Sequence, residues 1–214
     1  MIKICGITTQ DALNTCIKMH VDMVGFVFYD QSSRNISIDR AEALSTLLPE
    51  NIKKVAVMVN PSMQLVKSVI SVIKPDYLQL DDNAGIDEIR EIKKRFNNIQ
   101  VIKTIYLENG LDFSCDWAEY EGVADYILFD AMPKNQLFIE NADDTFNWSV
   151  LKDIEIKMPW ILSGGLNKYN VQQALRSCRA CNVNASSTLE ITPGVKDSDL
   201  IEAFVKTVRH FKGR

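Results

Sequence analysis

The stretch Val55–Leu80, VAVMVNPSMQLVKSVISVIKPDYLQL, decides the fold. A β-rich run, Val55–Val59, leads into the turn signal Asn60-Pro61-Ser62. Apolar residues at helical spacing follow over Met63–Ile73, and then a second β-rich run, Tyr77–Leu80. This is a strand–helix–strand unit, and a crossover through a helix joins parallel strands. The same alternation extends in both directions. Strand-like runs stand at Ile2–Cys5, Met23–Phe28, Val101–Ile105, Tyr126–Phe129, Trp160–Leu162 and Val183–Ala185. Helical spacing covers Asp11–Met19, Ala41–Leu48, Ile86–Phe96, Asn147–Ile154, Lys168–Cys178 and Asp197–Phe211, with a shorter candidate near Cys115–Tyr120. Eight such units in 214 residues average about 27 residues each, the size of a compact eight-fold β/α barrel. A doubly wound open sheet shares this alternation, but no G-x-G-x-x-G follows the first strand, where a dinucleotide fold would place it. The expected architecture is α/β, a single (β/α)8 TIM barrel with a parallel eight-stranded core, and one domain over residues 1–214.

Composition narrows the function classes. With 46% apolar and 24% charged residues, 9 Gly and 6 Pro, the chain is neither fibrous nor disordered. Lys+Arg at 24 against Asp+Glu at 28 gives a net charge of −4, which argues against a nucleic-acid binder. A small phosphorylated substrate is compatible with that balance, because backbone nests can hold a phosphate. No run of 18 apolar residues occurs, so no membrane span is expected. The opening Met1-Ile2-Lys3-Ile4-Cys5 enters a strand pattern directly, so no signal peptide is expected. The five cysteines are odd in number and irregularly spaced, which points to the reducing cytoplasm. Cys178 and Cys181 form a C-x-x-C without a second Cys or His pair, so no metal site is expected there. Monomer and homodimer are equally compatible with the sequence.

A barrel carries its chemistry at the C-terminal ends of its strands. Those positions hold Cys5, Asp30, Asn60, Asp81, Tyr106, Asp130, Ser163-Gly164-Gly165 and Ser186-Ser187. Both histidines, His20 and His210, fall at helix ends, so acid–base work falls to Cys, Asp or Tyr. Cys5 is followed by Gly6, which lets the chain turn and opens space beside the sulfur. Asp130 closes the apolar run Tyr126–Phe129, where partial desolvation favours a protonated carboxyl ready for donation. Gly164 and Gly165, ahead of a helix, can expose successive N–H groups to an anion. Ser186 and Ser187 come from the next strand, and the loops after strands seven and eight are the habitual phosphate site of this fold. Arg34 follows strand two and suits bidentate capture of a carboxylate, although the residue taken alone fits a solvated surface arginine better.

These residues resemble the phosphoribosylanthranilate isomerase family. Lys3-Ile4-Cys5-Gly6-Ile7-Thr8 is similar to its opening motif, and Gly25-Phe26-Val27-Phe28 with Ser32-Ser33-Arg34 to its second strand and loop. Val57-Met58-Val59-Asn60, Leu78-Gln79-Leu80, Leu128-Phe129-Asp130 and Thr145-Phe146-Asn147-Trp148 follow in family order. So do Leu162–Asn167, Ser186-Ser187 and Pro193-Gly194-Val195-Lys196-Asp197. The resemblance implies an enzyme of tryptophan biosynthesis performing a cofactor-independent Amadori rearrangement. It further implies Cys5 as general base, Asp130 as general acid and Arg34 at the anthranilate carboxylate. Gly164, Gly165, Ser186 and Ser187 would surround the phosphate.

Three places depart from the family pattern. Asp81-Asp82 stand where His-Gly is usual, Glu140-Asn141-Ala142-Asp143 replace Gly-Gly-Thr-Gly, and strand eight reads Asn184-Ala185-Ser186-Ser187-Thr188 where Asp-Val-Ser-Ser-Gly is usual. Thr188 in place of glycine would crowd the phosphate or require a different φ, and Asp81, Glu140 and Asp143 add negative charge near an anionic substrate. Two other readings therefore stand beside an active isomerase of this family: an inactive phosphometabolite-binding barrel, and a related aminoaldose-phosphate isomerase.

Overall fold

The computed structural model describes the chain except residues 82–83, 98, 108–115, 132–146 and 214, and the side chain of residue 212. Cys115, Asp82, the 140–143 departure and the Thr145-Phe146 part of the motif lie outside the described residues.

The chain alternates as β1 (Ile2–Cys5), α1 (Gln10–Lys18), β2 (Met23–Phe28), α2 (Ile38–Ser45), β3 (Lys53–Val59) and α3 (Met63–Ile73). It continues through β4 (Tyr77–Asp81), α4 (Ile86–Arg95), β5 (Gln100–Leu107), β6 (Tyr126–Ala131), β7 (Trp160–Leu162), α5 (Val171–Cys178) and β8 (Val183–Ala185). The short strands β9 (Glu190–Thr192) and β10 (Val195–Lys196) precede the closing α6 (Ser198–Lys212). Strands β1 to β8 pair in chain order into a closed barrel, and β1 lies parallel to both β2 and β8. The parallel barrel expected from the sequence is the one observed.

Local signals account for the helix starts. Ser62 accepts a hydrogen bond from the Leu65 N–H, Ser37 from Arg40 and Asp197 from Leu200, each satisfying a donor that the first turn would leave bare. Helix α3 stops where Lys74 turns left-handed (φ 48°) ahead of Pro75.

Successive strand residues face opposite sides of the barrel wall. One face sends Cys5, Met23, Val55, Ile102, Leu128 and Ile161 into the barrel. The other packs Ile4, Phe26, Leu78 and Phe129 against the helices, together with Phe204 of α6. Full burial of such side chains contributes about 1.5–3 kcal/mol each.

Several expected elements shift. Helix α2 begins at Ile38, three residues before the expected Ala41, because Ser37 caps it. Lys168–Asn170 form a turn ahead of α5, since the Asn167 side chain accepts the N–H groups of Tyr169 and Asn170. The expected helix Asn147–Ile154 is a single 3-10 turn, Trp148–Leu151. Beyond it Ile154, Ile156 and Met158 are half-buried while Asp153, Glu155 and Lys157 are exposed, a period of two that belongs to extended chain. The candidate near Cys115–Tyr120 is likewise a 3-10 turn, Trp117–Tyr120. The antiparallel pair β9–β10 lay unread in the sequence, although Pro193-Gly194 marks its turn. Among the described residues no helix is long and apolar enough to cross a membrane.

Candidate active site

A cavity of about 610 Å³, its open mouth included, lies at the C-terminal end of the barrel. Cys5, Arg34, Asp130 and Ser186 share its wall with Tyr29, Gln79, Asp81, Tyr106 and Asn184. Four of the seven expected site residues therefore meet in one space. Gly164, Gly165 and Ser187 stand in the adjoining loops and are absent from this lining.

Cys5 ends β1 and is only 7% exposed. Its sulfur has room because Gly25 of β2 stands opposite. A Cβ there would fall 2.9 Å from the Cys5 Sγ, closer than packed atoms tolerate. Asp130 lies near the end of β6, whose inward face is otherwise apolar. Its Oδ1 accepts the Ala131 N–H at 2.8 Å, and its Oδ2 accepts the Ser163 hydroxyl at 3.0 Å.

Arg34 is buried, so the surface-arginine alternative does not hold. Its Nε and Nη2 donate to Oε1 and Oε2 of Glu190 at 2.8 and 3.0 Å, a fork of two parallel charge-assisted bonds. Lys196 also contacts Glu190, and the Gly194 N–H reaches the same carboxylate at 3.1 Å. The β9–β10 pair thus serves to carry Glu190 and Lys196 behind the cavity wall. Burial alone would push the Glu190 carboxyl up, but Arg34 and Lys196 outweigh it and hold the group below its ordinary value. Burial pulls the Lys196 ammonium down, against the opposing pull of Glu190. Gly6, at φ +75°, lets this cluster close, since a Cβ there would lie 2.7 Å from the Arg34 Cδ.

Gly164 and Gly165 take left-handed conformations, φ +88° and +61°, that side chains rarely adopt. The Gly165 carbonyl accepts from the Asn170 amide at 2.8 Å, and Ser186 Oγ donates to the Cys5 carbonyl at 3.2 Å. Thr188 meets no backbone strain here. Thr188 has no positive φ, and its hydroxyl donates to the Leu166 carbonyl, tying the loop after β8 to the loop after β7.

Asp81, expected as an added charge at the rim, lines the cavity and is held by two donors. Gln79 donates to it at 3.1 Å, and Thr104 donates to the same oxygen. Burial pushes its carboxyl above the ordinary range, against Thr104, Gln79, Lys3 and Lys103, which act to lower it. A carboxyl whose folded pKa is raised favours the fold while protonated, and that contribution is lost as pH rises through the folded value. Asp81→Asn, a neutral isostere, will therefore gain stability over the parent as pH rises from about 3.5 to 8. Thermal unfolding across that range checks the sign, and a pH-independent difference would show that Asp81 does not titrate there.

Lys3, Gln79, Asn184 and Glu190 were not singled out as site residues from the sequence. Counting by two would have found the first three, because Lys3 shares the inward face with Cys5, Gln79 with Asp81, and Asn184 with Ser186. Glu190 needed the fold, since it meets Arg34 across 156 residues of chain. Among the described residues no group of three or more His, Cys, Asp or Glu side chains could hold a metal ion.

Fold and site together define an eight-fold β/α-barrel protein with a small-molecule cavity at its C-terminal rim. Residues 2–207 match the family model described as N-(5'-phosphoribosyl)anthranilate (PRA) isomerase, and the chain belongs to that family. It is 38% identical over 210 residues to the N-(5'-phosphoribosyl)anthranilate isomerase of Rhodopseudomonas palustris (strain TIE-1), covering 98% of each chain. Against the enzyme from Paramagnetospirillum magneticum it is 37% identical, covering 97% of this chain and 96% of that one. It is similar to the crystal structure of phosphoribosyl anthranilate isomerase from Thermotoga maritima, with TM-score 0.84, 32% identity and 98% coverage of both chains. A further similar structure, with TM-score 0.78, 30% identity and 98% coverage of both, is of a phosphoribosyl anthranilate isomerase in complex with reduced 1-(o-carboxyphenylamino)-1-deoxyribulose 5-phosphate.

Proposed function

We propose that this chain catalyses the Amadori rearrangement of N-(5-phosphoribosyl)anthranilate to 1-(2-carboxyphenylamino)-1-deoxyribulose 5-phosphate in tryptophan biosynthesis, in the cytoplasm. Family membership supports the reaction. The observation that carries the assignment of roles is the meeting of a thiol, a carboxyl and a buried guanidinium in one cavity.

In this reading Asp130 gives its proton to the furanose ring oxygen, and the C1–O bond breaks to an open-chain iminium. The cationic nitrogen acidifies the C2 proton, which Cys5 removes as thiolate. The resulting enolamine takes a proton back from Cys5 at C1 and gives its C2 hydroxyl proton to the Asp130 carboxylate, becoming the ketone, so no atom is gained or lost overall and both groups return to their starting states. Arg34, which lines the cavity and is held by the Glu190 fork, meets the anthranilate carboxylate. Gly164, Gly165, Ser186 and Ser187 surround the phosphate through backbone N–H groups and hydroxyls. The left-handed glycines and the tie between the two loops support this placement.

Product analysis tests the reading. Freshly generated substrate should give a ketose of unchanged mass with the anthranilate nitrogen still bonded to the sugar. Free anthranilate and ribose 5-phosphate as the enzyme-dependent products would make the protein a hydrolase and overturn it.

A further inference from the structure

One hydrogen-bond chain inside the barrel ends on Asp130, and its other three members have no role in the mechanism above. The ammonium of Lys3, fully buried on β1, donates to Asn184 Oδ1 on β8 at 2.8 Å. Asn184 Nδ2 donates to the Ser163 hydroxyl, just beyond β7, at 2.9 Å. Ser163 in turn donates to Asp130 Oδ2 on β6 at 3.0 Å. The four residues come from four consecutive staves of the barrel and run around its inner wall.

The direction of this chain is set by chemistry. An ammonium has only donors, so Asn184 must turn its carbonyl oxygen to Lys3 and its NH2 to Ser163. The serine oxygen accepts from that NH2, and its single proton points to Asp130. With the Ala131 N–H on the other oxygen, both oxygens of Asp130 receive donors. Such bonds are stronger to a carboxylate than to a carboxylic acid, so they tighten as Asp130 releases its proton.

We propose that Lys3, Asn184 and Ser163 are positioning residues, forming a one-way relay that holds Asp130 and stabilises its carboxylate as the substrate's ring oxygen takes the proton. The proposal rests on the role given to Asp130 above. Among the described residues, the ionisable groups sharing the cavity with Asp130 are Cys5 on β1, Tyr29 and Arg34 after β2, Asp81 on β4 and Tyr106 on β5, and Lys3 and Lys103 act on Asp81. None of them is altered in the variants below except through the relay.

Ser163→Ala removes the last donor, and Asn184→Leu cuts the relay while leaving the serine hydroxyl in place. The carboxyl of Asp130 can be titrated by NMR with 13C-labelled aspartate, its signal assigned by absence in Asp130→Asn. Its midpoint should rise by about one to two units in Ser163→Ala and by less in Asn184→Leu. The double variant should match Ser163→Ala alone, because the two act in series. Ser163→Thr, which keeps a hydroxyl, should return the parent midpoint. In the isomerase assay kcat should fall about ten-fold or more in Ser163→Ala with KM little changed, and its pH profile should move with the NMR midpoint. An unmoved midpoint in Ser163→Ala, no shift in Asn184→Leu, or additive shifts in the double variant would each overturn the relay. The titration requires no turnover, so an inactive parent protein would refute the proposed function while the relay is still judged on the midpoints.

Discussion

Asp130→Asn will lower kcat by about 10²–10⁴-fold, the range of a positioned general acid. The amide has the shape of the carboxyl but no acidic proton, so ring opening loses its donor. The site is built to make this loss specific. Asp130 sits on a barrel strand, held at both oxygens by Ala131 and Ser163, and the substitution changes neither volume nor backbone. KM should move far less than kcat, because the missing interaction is made in the transition state. The unfolding temperature should stay near that of the parent. Steady-state kinetics with a thermal melt on the same sample separates these outcomes. A kcat within a factor of about two of the parent would remove Asp130 from the acid's role.

The largest stability effect should come from outside the reacting groups. Glu190 is 4% exposed at its side chain and its partners Arg34 and Lys196 are 7% and 0% exposed; Arg34 lines the cavity, while Glu190 and Lys196 are absent from its lining. Glu190→Ala leaves two cations buried without their carboxylate, a loss of roughly 3–5 kcal/mol. For a domain of this size that lowers the melting temperature by about 10 °C. The sign with pH is defined. A carboxyl whose folded pKa is depressed contributes fully above its unfolded value, here 4.5, and loses that contribution as pH falls through the folded one. The gap between parent and variant should therefore be widest at neutral pH and close in acid. Melts at pH 3 and pH 7 test this, and equal gaps at both would mean that the fork to Arg34 carries no net charge stabilisation. Substrate affinity should fall as well, since Glu190 orients Arg34.

The sequence was most legible where one physical rule acts alone. Val55–Leu80 announced a parallel crossover through its run of β-branched residues and the Asn60-Pro61-Ser62 start, and α3 spans Met63–Ile73 as expected. Strands β1, β2, β7 and β8 also ended where the pattern changed. Legibility failed where two periods compete. Between Asn147 and Trp160 the apolar residues satisfy a helical count over a few positions, yet Ile154, Ile156 and Met158 follow the strand count. The site divides the same way. Cys5 and Asp130 were visible because strand ends in a barrel converge, and the cavity gathers them. The burial of Arg34 was invisible, because its partner arrives on a hairpin far along the chain. From the sequence, Thr188 threatened to crowd the phosphate and Asp81 added charge at the rim, while Asn184 stood where a carboxylate is usual. In the fold each is absorbed by a hydrogen bond, to Gln79 and Thr104, to Lys3 and Ser163, and to Leu166.

The central claim is that this barrel isomerises phosphoribosylanthranilate with Cys5 as its base. The most direct test follows anthranilate fluorescence with freshly generated substrate, comparing the parent protein, Cys5→Ser and a no-enzyme control. The account predicts rapid decay with the parent and, with Cys5→Ser, decay slowed by about 10²-fold or more toward the control. Decay no faster than the control with folded parent protein, or equally rapid decay with Cys5→Ser, would contradict it.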